Sequence, residues 1–192
     1  MFDALREIGL ATDSDAKFFV ACMLLALEHL FERKIVHRDL KPENTMVYEE
    51  GYPKLIDFGT AKFVNGRTYT IIGTPHYMAP EVLTGRGYSL GVDMWSLGVM
   101  LYEFLCGGVP FGEELTDPYK VYEKVLKEKL KFTAFMGQNF PAKTTIEWML
   151  KRNSAERGTP CQLIEKSERP RGVNWTSNMS RSFKPKYTTK IK

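Results

Sequence analysis

The residues most able to do chemistry lie in the stretch His37–Asn44 (HRDLKPEN) and in the triplet Asp57-Phe58-Gly59, which begins thirteen residues after it. A carboxylate such as Asp39 can orient an attacking hydroxyl group and accept its proton. Asn44 and Asp57 offer the oxygen ligands that Mg²⁺ prefers in proteins. These types and this spacing therefore predict a site that handles a hydroxyl nucleophile beside a divalent metal ion.

Lys41, within the same stretch, can neutralise charge on a phosphoryl group during its transfer. Phosphoryl transfer depends on positioning and charge stabilisation more than on covalent chemistry by the protein, so this set suits it. An Asp in any one such motif is commonly a helix cap or a turn residue. A third motif, Ala79-Pro80-Glu81, follows in order, and the three together favour the catalytic interpretation.

Composition places the chain among ordinary globular proteins. Its 192 residues are 43% hydrophobic and 26% charged, which is enough for one domain with a core. The most apolar stretch, Met94–Cys106, is too short for a membrane span and contains Glu103. The three cysteines are far apart and form no CxxC pair, which favours thiols in a reducing compartment, and we expect a cytoplasmic protein.

The net charge of +4 is unevenly distributed along the chain. Residues 165–192 have a net charge of +6. Three aromatic residues among them could anchor this segment to the domain: Trp175, Phe183 and Tyr187. We expect a domain over 1–164 and a basic tail over 165–192 that packs on the domain or extends from it. We do not expect nucleic-acid binding, although a basic tail is compatible with it.

Apolar periodicity predicts a mainly α fold with a short β-hairpin. Thr12 is expected to cap a helix that runs to about Arg33, and 91–105 has almost no polar face, so that helix should be buried all round. Further helices are expected over 118–130 and 142–151, two strands over 45–48 and 54–56, and a functional loop over 60–78. Beyond Asn153 the secondary-structure signal fades.

Three segments carry a resemblance to eukaryotic Ser/Thr protein kinases of the AGC group. They are RTYTIIGTPHYMAPEV (67–82), YSLGVDMWSLGVMLYEFLCGGVPFG (88–112) and VYEKVLKEKLKF (121–132), and they look most like the catalytic domain of the cGMP-dependent branch. The resemblance implies the C-terminal lobe of a protein kinase, with the hairpin at the catalytic cleft. It also implies ATP and Mg²⁺ as cofactors and a protein substrate.

The resemblance assigns roles to residues at matching positions. It implies Asp39 as catalytic base, with Lys41 and Thr74 beside it, Asn44 and Asp57 as magnesium ligands, and Met46 with Asp57 in ATP binding. It also implies structural roles. His37, Phe58 and Asp93 match the internal hydrophobic spine of the family and its anchor on the buried helix, and Glu81 and Arg157 match a buried ion pair.

Five further positions concern regulation and substrate choice. Thr70 matches the phosphorylated threonine of the activation loop, with Arg38 and Lys62 as partners of its phosphate; alone it would be read as an ordinary loop threonine. Glu43 and Glu103 match acids that read arginine before the phosphorylated residue, although both are also compatible with solvated surface positions.

The sequence also departs from the family pattern. It contains no glycine-rich GxGxxG loop, since Gly85-Arg86-Gly87 has the wrong spacing, and no VAIK lysine. We therefore expect the N-terminal lobe to be absent and ATP to bind poorly to the chain alone. An apolar surface around Met1, Met46 and Phe58 is then expected to be covered by an N-lobe or by another chain.

Three functions are compatible with these observations. The first is a catalytic-domain fragment of a kinase that transfers the ATP γ-phosphate to Ser or Thr of basic proteins. The second is a catalytically incompetent, truncated kinase-like lobe that acts as a scaffold or assembly component. The third, a small-molecule kinase, is disfavoured by the segment GTPHYMAPE, which resembles the part of protein kinases that receives peptides.

Overall fold

The computed structural model describes residues 12–48, 51–133 and 141–168. The helices are α1 (Asp13–Glu32), α2 (Pro80–Leu83), α3 (Gly91–Cys106), α4 (Pro118–Lys127), α5 (Pro141–Met149) and α6 (Pro160–Glu168). The strands are β1 (Ile35–Val36), β2 (Thr45–Val47), β3 (Pro53–Leu55) and β4 (Lys62–Phe63). Short 3-10 turns lie at Pro42–Asn44, Pro75–Tyr77 and Ser154–Glu156. The predicted mainly α class is confirmed.

Helix α3 is the centre of the core. Its side chains are buried on all sides, and those of Trp95, Leu97 and Val99 have no exposed surface. The helix ends at Gly107, whose φ of 85° is the left-handed conformation that glycine adopts most readily at a helix C-terminus. The prediction of an all-round buried helix over 91–105 is confirmed.

Two further helices pack against α3. Helix α5 comes so close that a Cβ on Gly98 would lie 2.7 Å from Cβ of Met149, so only glycine fits there. Helix α1 begins as predicted at Thr12, whose hydroxyl oxygen accepts a bond from Asp15 N. The rings of Phe19 and Phe104 meet edge to face 4.6 Å apart across α1 and α3.

The predicted hairpin is confirmed in β2 and β3. These strands pair antiparallel with Thr45 opposite Leu55 and Met46 opposite Lys54. A second antiparallel pair, β1 with β4, places Ile35 opposite Phe63 and was not predicted. Strand β4 lies inside the segment 60–78 that was expected to be loop, so this expectation is corrected in part.

Several predicted boundaries also change. Helices α4 and α5 end at Lys127 and Met149, before the expected ends at 130 and 151. The expectation of fading structure beyond Asn153 is wrong, because a 3-10 turn and α6 follow it, and α6 packs against α1. Helix α6 crosses the predicted domain boundary at 164, while 169–192, most of the predicted tail, lies outside the described residues.

No helix in the described ranges combines the length and the apolar composition needed to cross a bilayer. Cys22, Cys106 and Cys161 form no disulfide with one another. Burial raises the pKa of the partly buried Cys22 thiol to about 12, which disfavours the reactive thiolate form.

Candidate active site

The loop His37–Asn44, hereafter the catalytic loop, is fixed to the core by Asp93 in the first turn of α3. The two carboxylate oxygens of Asp93 accept hydrogen bonds from the backbone N–H groups of His37 (2.7 Å) and Arg38 (2.9 Å). Arg38 has φ of 74°, a left-handed conformation that costs on the order of 1 kcal/mol for a residue with a side chain. Charge-assisted bonds to a buried carboxylate stabilise this turn.

Asp39 is the most heavily bonded of the predicted catalytic residues. Its Oδ1 accepts from the Thr74 hydroxyl (2.8 Å), and its Oδ2 accepts from Nδ2 of Asn44 (3.0 Å) and lies 3.0 Å from Nζ of Lys41. Nζ of Lys41 in turn donates to Oγ1 of Thr74 (2.7 Å). The structure thus brings together four of the candidate residues: Asp39, Lys41, Asn44 and Thr74.

These contacts set the charge state of Asp39. Burial alone would raise the pKa of this carboxyl, but hydrogen bonds from Thr74, Lys41 and Asn44, with the charge of Lys41, outweigh burial and hold the pKa below its usual range. Asp39 is therefore ionised at neutral pH. An ionised, oriented carboxylate can accept a proton from a hydroxyl placed against it.

Asn44 is held in one orientation by the 3-10 turn Pro42–Asn44. Its side chain is only 7% exposed, and its Nδ2 donates both to the backbone oxygen of Asp39 (2.8 Å) and to the carboxylate. With the amide nitrogen committed in this way, the amide oxygen is the atom left to face a metal ion.

Asp57 lies on an exposed loop that is tied to the catalytic loop through its neighbours. Ile56 N donates to the backbone oxygen of Asn44 (3.0 Å), and the Ile56 oxygen lies 3.1 Å from Nε2 of His37. The rings of His37 and Phe58 meet edge to face at 5.2 Å. Asp57 itself has φ of 58°, and its Oδ1 accepts from Gly59 N (3.1 Å).

Asn44 and Asp57 fit a magnesium ion by the chemistry of their donor atoms. Each offers oxygen, which Mg²⁺ prefers, and Mg²⁺ commonly keeps waters and substrate phosphates beside one or two protein ligands. In the described ranges no three His, Cys, Asp or Glu side chains converge on a point that would hold a metal. A metal here would depend on this amide and carboxylate pair.

The segments 46–48 and 58–63, hereafter the apolar edge, carry exposed large side chains. Met46, predicted beneath adenine, is 51% exposed on β2, and Phe58 is 49% exposed. Tyr48 and Phe63 are also exposed large side chains in this part of the chain. Met1, the third member of the predicted apolar surface, lies outside the described residues.

Glu43 and Glu103 belong to one electrostatic group that includes two residues not predicted. Glu103 is half-buried and accepts a hydrogen bond from the Tyr77 hydroxyl (2.7 Å). Burial raises the pKa of the Glu103 carboxyl, the Tyr77 bond opposes the rise, and the charges of Glu43 and Glu113 add to it. The carboxylate of Glu113 sits where a Cβ on Gly108 would be, 1.8 Å from Oε1, and no local spacing in the sequence signals that contact.

Thr70 is exposed, and its predicted phosphate partners are engaged elsewhere on the same loop. Nε of Arg38 donates to the Thr60 oxygen (2.6 Å), and Nζ of Lys62 donates to Oγ1 of Thr68 (3.0 Å). Both cations therefore reach the loop, but neither of these bonds is to Thr70.

Glu81 and Arg157 form a fork-to-fork ion pair beneath the site. The two guanidinium nitrogens lie 2.7 and 2.5 Å from the two carboxylate oxygens, and the Arg157 side chain is 1% exposed. The guanidinium also lies 5.2 Å from the ring centre of Trp95. This pair joins the 3-10 turn region after Ser154 to the start of α2.

Comparison with known proteins agrees with this geometry. The family model of the protein kinase domain matches residues 1–167. The cGMP-dependent protein kinases of Plasmodium berghei and Toxoplasma gondii are 50% and 51% identical over 136 residues, or 71% of this chain. The cAMP-dependent protein kinase catalytic subunit 3 of Drosophila melanogaster is 38% identical over 96% of it.

The match covers only part of each relative. It spans 16% and 14% of the two cGMP-dependent kinases and 32% of the Drosophila catalytic subunit. Since the family model covers most of this chain, the chain belongs to the protein kinase family, within which it is similar to the AGC group of Ser/Thr kinases and to cGMP-dependent kinases in particular.

Proposed function

We propose that this chain supplies the catalytic loop of a Ser/Thr protein kinase that transfers the ATP γ-phosphate to proteins. The observation that carries the proposal is the set of bonds around Asp39, which present an ionised carboxylate in a fixed orientation. A substrate hydroxyl placed against Asp39 would give up its proton to that carboxylate as its oxygen attacks phosphorus.

Lys41 and Thr74 complete this arrangement. Nζ of Lys41 lies between Asp39 and Thr74, from where its charge would stabilise the phosphoryl group as it moves to the substrate. Asn44 and Asp57 would hold Mg²⁺, which supplies charge neutralisation on the phosphates when bound. Met46 would lie beneath adenine.

We further propose that the substrates carry basic residues before the phosphorylated Ser or Thr. The support is the position of Glu103 near two other acids: burial raises the pKa of the Glu103 carboxyl, and the charges of Glu43 and Glu113 add to the rise. A guanidinium group bound among them would relieve that repulsion.

Thr70 is proposed as the regulatory phosphorylation site, with Arg38 and Lys62 turning to bind its phosphate. A cytoplasmic location remains an expectation.

A second candidate function rests on the exposed apolar edge. The side chains of Met46, Tyr48, Phe58 and Phe63 are each 44% exposed or more, which is costly for a surface that stays in water. We propose that an N-terminal lobe or another chain covers this edge. If the covering partner is present and no transfer occurs, the chain is a scaffold or assembly component.

The experiment is a binding and transfer assay on the full 192-residue chain with Mg-ATP and peptides of basic or acidic sequence. Asp39→Asn is expected to reduce transfer about 10²–10⁴-fold, and Asp57→Ala to abolish metal-dependent transfer. Glu147→Gln, at an exposed position on α5, is the matched loss of one negative charge and should leave transfer unchanged. Equal turnover of acidic and basic peptides would contradict the substrate proposal, and no Mg-ATP binding by any form would favour the scaffold.

A further inference from the structure

The segment Gly85-Arg86-Gly87-Tyr88 does not have the spacing of a glycine-rich nucleotide loop, and it lies directly against the loop that carries Thr70. Thr68 and Tyr88 exchange two backbone hydrogen bonds, Thr68 N to the Tyr88 oxygen and Tyr88 N to the Thr68 oxygen, both 2.9 Å. A reciprocal pair of this kind fixes the distance and the relative direction of two chain segments. The loop is thus attached to the segment that precedes α3.

Side chains extend this attachment on both sides of the bridge. The Tyr88 hydroxyl donates to the backbone oxygen of Thr70 (2.6 Å), and Tyr88 is only 3% exposed. Nη1 of Arg67 donates to the Arg86 oxygen (3.2 Å). Thr68 and Thr70 are therefore bonded to Tyr88 through their backbones, and Arg67 is bonded to Arg86 through its side chain.

Gly87 lies at the contact between the two segments. A Cβ built on it would lie 2.7 Å from Cε1 of Tyr69, closer than real Cβ atoms approach, so the tyrosine ring rests on the bare glycine backbone. Gly87 also has φ of 82°, which favours glycine. Gly85 has φ of 66° but would place its Cβ in open space, so the close contact belongs to Gly87.

We propose that Arg86, Gly87 and Tyr88 form a loop clamp that fixes the backbone at Thr70 without any phosphate. All the bonds in the clamp join groups of the unmodified chain, whereas a phosphate orders a loop by adding new acceptor oxygens and charge. Tyr88 is a positioning residue, since its hydroxyl contacts the Thr70 backbone and no reacting atom. The importance of Thr70 rests on the proposed function, but the clamp itself does not.

The consequence concerns what phosphorylation of Thr70 would accomplish. Its side chain is exposed, while its carbonyl accepts the bond from the Tyr88 hydroxyl. A modifying enzyme would therefore bind a threonine whose backbone is already fixed. A phosphate would then redirect Arg38 and Lys62 and would not need to order residues 67–70.

The test is amide hydrogen exchange on the full chain, in the unsubstituted form and with Thr70→Ala, which cannot be phosphorylated. Both forms are expected to protect the amides of Thr68 and Tyr88. Tyr88→Phe keeps the ring and removes the hydroxyl, and it should speed exchange at these amides about 3–10-fold. Gly87→Ala, which displaces Tyr69, should have an effect at least as large.

Two matched controls separate the clamp from general effects of substitution. Tyr119→Phe removes a hydroxyl from a side chain that is 81% exposed. Gly85→Ala adds a Cβ at positive φ in open space. Tyr119→Phe should change exchange at Thr68 and Tyr88 by less than about 2-fold. Gly85→Ala carries the same kind of backbone strain as Gly87→Ala without the contact, so its effect should be smaller. The amides of α3 should report an intact core in every form.

The clamp is overturned if Thr68 and Tyr88 exchange at unprotected rates in Thr70→Ala, or if Tyr88→Phe and Gly87→Ala act no more strongly than their controls. If Tyr88→Phe also speeds amide exchange throughout α3, that variant has disturbed the core. The test of the clamp then rests on the comparison of Gly87→Ala with Gly85→Ala. A protected loop in a chain that binds Mg-ATP and transfers no phosphate would contradict the proposed function and leave the clamp standing.

Discussion

The two carboxylates of the candidate site are held in opposite ways. Asp39 is bonded by Thr74, Asn44 and Lys41, while Asp57 is exposed and accepts a bond from Gly59 N within its own turn. Only the first is oriented by side chains brought from elsewhere in the fold. A proton acceptor must be aimed before substrate arrives, whereas a metal ligand can be oriented by the metal itself.

The same contrast runs through the surroundings of the two carboxylates. Below the site, Asp93 and the Glu81–Arg157 pair join the catalytic loop and α2 to the core through buried charged groups. Above it, Met46 and Phe58 are about half exposed. The lower half of the site is therefore held by buried contacts within the chain, whereas the upper half is exposed.

Loss of the buried ion pair should have the largest effect on the lower half. Arg157→Met leaves Glu81 as a carboxylate without its partner, and the free energy of unfolding should fall by about 3–5 kcal/mol. Urea denaturation followed by circular dichroism measures this change. Arg33→Met removes an exposed pair with Glu32, whose side chains are 52% and 66% exposed, and it should cost below about 1 kcal/mol; equal losses would contradict the contrast.

Loss of the Asp93 carboxylate should be the next largest effect. In Asp93→Asn one oxygen becomes an NH₂ group that faces a backbone N–H donor, so the free energy of unfolding should fall by about 2–3 kcal/mol. Asp57→Asn is the matched change in the upper half, since Asn tolerates the left-handed conformation at that position. Its free energy of unfolding should stay within about 0.5 kcal/mol of that of the unsubstituted chain. A larger loss would show that the Asp57 carboxylate also stabilises the fold.

The smallest effect is the acid sensitivity contributed by Asp39. Because folding depresses the pKa of this carboxyl, its stabilisation is present above the unfolded pKa of about 4 and is lost as pH falls through the lower folded value. Asp39→Asn should remove on the order of 1 kcal/mol of that pH dependence. Urea midpoints between about pH 6 and 3 measure it, and parallel curves for both proteins would be the contrary result.

Much of the lower half could be predicted because its groups are close in the sequence or match a motif. Asp39, Lys41 and Asn44 lie within six residues of one another, so a single turn brings them together. The contact from Asp93 to His37 spans 56 residues, and no local spacing encodes it; only the family resemblance suggested it.

The elements that were missed had weak or overlooked signals. Strands β1 and β4 have two residues each, too few for an alternating pattern. Helix α6 has a signal that could have been used: Thr159 and Gln162 form a capping box, with Gln162 N donating to Thr159 Oγ1 (3.3 Å) and Thr159 N donating to Gln162 Oε1 (2.9 Å). The bonds of the proposed clamp each involve at least one backbone group, and side-chain patterns do not reveal such partners.

Paramagnetic broadening by Mn²⁺ with ATP tests most directly whether Asn44 and Asp57 share a metal. In the full chain, the side-chain amide of Asn44 and the backbone amide of Gly59 should broaden together in NMR spectra, and Asp57→Ala should remove both effects while leaving the Asn44 bonds to Asp39 in place. Broadening that survives Asp57→Ala, or that centres on Glu43, Glu103 and Glu113 instead, would contradict the assignment of these two residues as the metal site.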